Sequence, residues 1–156
     1  MSTKPAMAHK PQSDTAHALA QVLADTYVLY LKTHNFHWNV EGADFRSLHQ
    51  LFEEQYRSLW NSLDGLAERI RALGEYAPGT SAKLRALASL KESEAVPRAE
   101  SMLRELLEDH TAVVRTIEAA LAAAHASADE ASAGLLAERL AEHQKQIWML
   151  KSMRTS

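Results

Sequence analysis

Apolar side chains recur at spacings of three and four over four long stretches of this chain, with few residues able to interrupt them. The first stretch carries Leu19, Val22, Leu23, Thr26, Leu29, Tyr30, Thr33 and His37. The second carries Phe45, Leu48, Phe52, Leu59, Leu63, Leu66 and Ile70. The third carries Met102, Leu103, Leu106, Val113, Val114, Ile117 and Leu121. The fourth carries Leu135, Leu136, Leu140, Ile147, Trp148 and Leu150. A period near 3.6 places these side chains along one stripe of a helix, whereas a strand needs a period of two. Five Gly and four Pro in 156 residues leave the stretches nearly free of breakers. The fold class is therefore all-α, and four amphipathic helices of this length bury their stripes best as a four-helix bundle.

Local signals set the expected boundaries. Residues 1–13 hold Pro5, Pro11, Lys4, Lys10 and Gln12 without periodicity and read as a mobile tail before a bundle domain of residues 14–156. Ser13 or Asp14 caps a first helix that ends near Glu41 and Gly42. Asp44 opens a second helix, which Gly74 ends. Each spans more than about 25 residues, or about 40 Å. Tyr76-Ala77-Pro78-Gly79 is a turn, and Thr80 or Ser81 caps a short helix running through Leu90. Glu92 to Pro97 is irregular. The third helix is expected from about Arg98 to His125, and the fourth from Ala131 to about Met153. The connection between helices two and three is thus a long crossover with a short helix of its own.

Composition removes several functions. The chain has no Cys, which excludes disulfides, thiolate zinc sites and a cysteine nucleophile. A metal here must be held by His and carboxylate. The net charge of −3 argues against a chain that is basic overall and binds nucleic acid with its whole surface. No apolar run approaches the roughly 20 residues of a membrane span, and the first residues lack the apolar segment of a secretory signal, so a cytoplasmic location is expected.

Ligand-type side chains concentrate in two places. One is Thr33 to Asn39, THNFHWN, which includes His37. The other is the second helix, where His49 and Glu53 are spaced i, i+4, as are Asp64 and Glu68. At about 100° per residue these four side chains and Trp60 share one sector of roughly 100°, beside the apolar stripe. An aromatic as large as Trp60 on that sector predicts a covered face. A single such pair on a helix is ordinarily a surface ion pair, and Asp64 and Glu68 could equally serve Arg57 and Arg71.

The rise along the helix separates the two pairs. Asp64 lies fifteen positions beyond His49, about 22 Å along the axis. They cannot share an ion within one subunit. They can if two copies of helix two run antiparallel across a two-fold axis near Ser58 and Leu59, with His37 entering from the end of helix one. An isologous dimer of this kind creates two equivalent sites. Imidazole with carboxylate suits ferrous and ferric iron, and also admits zinc or manganese.

The segment KTHNFHWNVEGADFRSLHQLFEEQY, followed by SLDGLAERIRALG, resembles the signature region of the Dps proteins, the DNA-protection-during-starvation branch of the ferritin-like family. The match covers Lys32 to Gly74. The closing HQKQIWMLKSM is similar to the last helix of those proteins.

That resemblance implies a ferritin-like bundle and a dodecameric cage. It implies oxidation of ferrous iron, preferentially by hydrogen peroxide, and storage of the ferric product. The implied catalytic and metal ligands are His37, His49 and Glu53 of one subunit with Asp64 and Glu68 of its two-fold mate, and Trp38 beside them. The family more often has Asp at the position of Glu53, one methylene shorter. Its T-x-D-L-L pattern near the start of the last helix reads Ser132-Ala133-Gly134-Leu135-Leu136 here, so Gly134 lacks the pore carboxylate. The Glu-x-x-His motif of ferritins with an intrasubunit site is absent.

DNA, as a further partner, would be met by Lys4 and Lys10 of the tail through phosphate contacts, multiplied over a cage. A DNA-compacting protein with secondary iron chemistry is the alternative reading. A cage that buffers zinc or manganese without turnover is a third.

Overall fold

The computed structural model describes residues 11 to 154. It contains α1 (Pro11–Asn39), α2 (Phe45–Ala72), α3 (Ser81–Leu87), α4 (Ala99–Ala126) and α5 (Glu130–Met153). There is no strand among the described residues. The four long helices are the four periodic stretches. α1 packs most extensively on α2, next on α4, and α4 on α5, while α2 touches α5 only slightly. The bundle is therefore two helical hairpins joined by the α2–α4 crossover, with α3 lying on α1. No helix among the described residues is long and apolar enough to cross a membrane.

The core is drawn from the expected stripes. Leu19, Val22, Leu29, Phe52, Leu66, Ile70, Met102, Leu106, Ile117, Leu136 and Leu150 are all essentially inaccessible to water. Burial of such side chains contributes about 1.5–3 kcal/mol each, most of it opposed by lost chain entropy.

Several helix ends differ from expectation. α1 is described from Pro11, so the helix already includes residues 11–13 of the stretch read as a tail. Residues 1–10 of that tail, including Lys4 and Lys10, lie outside the described residues. α1 stops at Asn39, short of Glu41, and Gly42 takes a φ of +114° in the turn that follows. Asp44 is the N-cap of α2, but its side chain makes no capping bond.

α2 ends as a Schellman turn: Glu75 N–H donates to Ile70 O at 3.3 Å and Gly74 N–H to Arg71 O at 3.0 Å, with Gly74 at φ +94°. The same turn ends α4, where Asp129 N–H reaches Ala124 O at 2.8 Å and Ala128 N–H reaches His125 O at 3.1 Å. There the left-handed position is held by Ala128, φ 53°.

The short helix α3 ends at Leu87, three residues before the expected Leu90. The cause is Asp25 of α1, fully buried. Its carboxylate accepts from Ser89 N–H at 2.6 Å, from Ser89 Oγ at 2.8 Å and from Thr116 Oγ1 of α4 at 2.7 Å. Ser89 therefore bonds to α1 instead of continuing a helix, and Leu90 docks against the core, 7% exposed. One carboxylate thus ties the crossover to α1 and α4.

Candidate metal centre

His37 lies in the last turn of α1 and His49 in the second turn of α2. The tight turn between the helices brings the two rings into parallel contact, centroids 3.8 Å apart and planes 14° apart. Each ring is fixed by the other's backbone. His37 Nδ1 is 2.7 Å from His49 O, and His49 Nδ1 is 2.6 Å from His37 O. A carbonyl only accepts, so each Nδ1 carries the proton and donates. When neutral, each ring then has its lone pair on Nε2, the form in which histidine binds a metal. His37 is buried and His49 half-buried.

Glu53 follows one turn along α2. Its carboxylate accepts from Arg57 Nη2 at 3.2 Å, an exposed i, i+4 pair of little energetic weight. Asp64 and Glu68 stand exposed further along α2 and join no hydrogen bond or ion pair among the described residues. The chain therefore brings His37 and His49 together and leaves the distal carboxylates apart from them. Among the described residues, no three His or carboxylate side chains gather as a metal cage within one subunit.

An aromatic cluster adjoins the histidines. His34, one turn before His37, stacks on Tyr56 at 3.9 Å and 13°, and lies 4.0 Å from Trp38. Its Nδ1 is 3.0 Å from Tyr30 Oη. Tyr56 also meets His37 edge-on at 5.1 Å, and Trp60 lies 5.2 Å from Tyr30. Burial lowers the pKa of His34, and the nearby His37 and Arg57 lower it further, so this imidazole is held toward its neutral form. Burial, then Tyr56 and Tyr27, raise that of the Tyr30 phenol.

Tyr30, His34, Tyr56, Arg57, Trp60 and Asn61 line an open cavity of about 270 Å³. Trp38 is 61% exposed and Trp60 57% exposed in the single chain, so the face expected to be covered is open here.

His34 and Tyr56 did not emerge from the ligand pattern. Their signal was helical spacing: Tyr30, His34, His37 and Trp38 share one face of α1, and Tyr56 follows His49 by two turns on α2.

A family model for the ferritin-like domain matches residues 16–155. An uncharacterized low temperature-induced protein of Nostoc is 40% identical over 136 residues, covering 86% of this chain and 76% of that protein. A DNA protection during starvation protein of Brevibacillus brevis is 37% identical over 134 residues, covering 86% of this chain and 90% of the relative. Among solved structures, a Dps protein from Vibrio cholerae superposes with a TM-score of 0.87 at 29% identity. The match covers 96% of this chain and 98% of that one, and that structure is described as a member of a broad superfamily of ferritin-like diiron-carboxylate proteins.

Proposed function

Because the chain belongs to the Dps branch of the ferritin-like family, we propose that it is a subunit of an iron-storing cage that oxidises ferrous iron with hydrogen peroxide at sites shared between two-fold mates. The observation that supports this reading is the reciprocal bonding of His37 and His49. It spends both Nδ1 protons on backbone carbonyls and leaves the lone pair of each neutral ring on Nε2, in the form ferrous iron needs. Glu53 adds a carboxylate one turn on. Asp64 and Glu68, exposed on the same helix, complete the set from the mate when two copies of α2 pair antiparallel. Trp38 and Trp60 are covered by that pairing.

Iron is the substrate and cargo of this chemistry. Two ferrous ions supply one electron each. Hydrogen peroxide accepts both, with two protons, and leaves as two waters, so no hydroxyl radical is released. The ligands orient and desolvate the ions, and the neutral imidazoles avoid adding positive charge beside them. The physiological result is protection of the cell and its DNA from peroxide and iron together. Direct DNA contact falls to Lys4 and Lys10 in this reading. The assembly is a cytoplasmic dodecamer.

Mixed assemblies test the shared site. One chain carries His37→Ala with His49→Ala, the other Asp64→Asn with Glu68→Gln. Each alone loses peroxide-dependent ferrous oxidation. Co-expressed, half of the randomly formed dimers are mixed, and each mixed dimer holds one intact site of two, so roughly a quarter of wild-type activity returns. A mixture as inactive as its parents places the ligands elsewhere.

A further inference from the structure

The bundle interior contains a second histidine pair that the iron chemistry does not use. His110 of α4 and His143 of α5 are 0% and 1% exposed, with Nδ1 atoms 2.9 Å apart. We propose that this pair is an acid-operated latch: while both rings are neutral it holds α4 against α5, and protons entering it open the bundle and release the assembled subunits.

Two ring nitrogens at hydrogen-bond distance share one proton, so the neutral rings are opposite tautomers. One donates from Nδ1 and keeps a lone pair on Nε2. The other accepts at Nδ1 and carries its proton on Nε2. Neither Nε2 has a partner. A further proton therefore has one place to go, the free Nε2 lone pair, and makes a cation in an enclosed site.

No anion stands ready to meet it. The charges acting here are Arg139 on both rings and His110 on His143; Arg139 lies one turn before His143 on α5 and is itself buried with Nε and Nη2 unpartnered. Glu138 and Glu142 of α5 act on Arg139, and Glu142 accepts from Gln146 at 2.9 Å. On α4, Asp109 is 2.6 Å and Glu105 3.7 Å from Lys32 of α1. The other buried charge of α1, Asp25, is taken by Ser89 and Thr116. α2 presents the neutral Gln55, bonded to Gln146 at 2.9 Å.

The electrostatics agree. Burial, then Arg139, lower the pKa of His110 to about 3, and burial, His110 and Arg139 put that of His143 well below its usual value. In the unfolded chain both rings bind protons below about 6.5. The latch is therefore fully closed above that pH. It weakens as pH falls toward about 3, by about tenfold in the folding equilibrium per pH unit for each ring. An apolar pair of similar volume packs this seam without such a dependence.

The test follows urea unfolding and light scattering of the full-length assembly, at fixed concentration, from pH 7 to 4. Wild type is compared with His110→Leu/His143→Leu. Below pH 6.5 the wild-type folding equilibrium falls faster than the variant's, by up to about a hundredfold per pH unit, and its assembly comes apart at a higher pH. Parallel curves overturn the proposal. Should the variant not fold, hydrogen–deuterium exchange at the imidazole C2 positions of wild type decides alone. The latch requires both rings to stay in the neutral regime at pH 5 in the folded assembly, and titration of either ring near pH 6.5 refutes it.

Discussion

His37 and His49 each donate from Nδ1 to the other's backbone carbonyl, at 2.7 and 2.6 Å, across the turn that joins α1 to α2. Each ring is thus held by backbone that a side-chain substitution leaves in place. Removing either ring deletes a candidate ligand and the stacking contact at 3.8 Å, but the surviving ring keeps its bond to the backbone carbonyl. His37→Ala and His49→Ala are each expected to lower ferrous affinity by at least about tenfold, and the double variant by more than either. Isothermal titration with ferrous iron under anaerobic conditions checks this. A single variant with unchanged affinity would remove that ring from the ligand set.

Ala128 occupies the left-handed position that closes α4, φ 53°, where Gly74 serves the equivalent turn of α2. An alanine there bears about 1–2 kcal/mol of steric cost, which glycine's greater chain entropy partly offsets. Ala128→Gly is expected to stabilise the protein by about 0.5–1 kcal/mol. Thermal unfolding at fixed concentration reads the shift, and a lowered midpoint contradicts it.

Asp25 accepts three hydrogen bonds from the crossover and α4 while fully buried. Asp25→Ala leaves the Ser89 and Thr116 donors without their acceptor, at an expected cost of about 2–3 kcal/mol. Local hydrogen exchange of Ser89 and its neighbours should rise more than that of α5. A uniform increase would indicate global loosening instead of a freed crossover.

Asp129 caps α5 by accepting from Ser132 N–H at 3.0 Å and pairs with Arg69 of α2 at 3.1 Å. Burial raises its pKa, but the hydrogen bonds from Ser132 and the charge of Arg69 outweigh that and lower it overall. The folded carboxyl thus binds its proton less readily than the unfolded one. Its contribution is present above the ordinary aspartate range and is lost as pH falls through the lowered value. Asp129→Ala is expected to cost about 1–2 kcal/mol at pH 7 and less near pH 3. Denaturant midpoints at the two pH values decide it, and an equal cost at both removes the charged cap as the cause.

Lys4 and Lys10 are the cationic side chains of a tail on a chain of net charge −3. DNA retention in a gel is expected at low salt alone, and deletion of residues 1–12 should abolish it. Retention that persists at high salt or without the tail points to a different surface.

The four long helices were legible because their stripes hold one period over many turns, and the bundle then follows from burying them. The ends were less legible wherever a distant group decided them. Leu90 has the sequence context of a helix, yet Asp25, 64 residues before the Ser89 it binds, ends α3 early. For the site, spacing along α2 marked His49, Glu53, Asp64 and Glu68, and the turn placed His37 beside His49. The phase of α1 against α2, which stacks His34 on Tyr56, is a tertiary fact with no local signature. The same holds for His110 and His143, 33 positions apart on different helices.

All five candidate ligands sit on the first hairpin, α1 and α2, while α4 and α5 supply none of them. Under the proposed function, reactivity is confined to one half of the molecule, while durability is shared by both. Drift in the second hairpin would then leave every candidate ligand in place, and only drift in the first would exchange one.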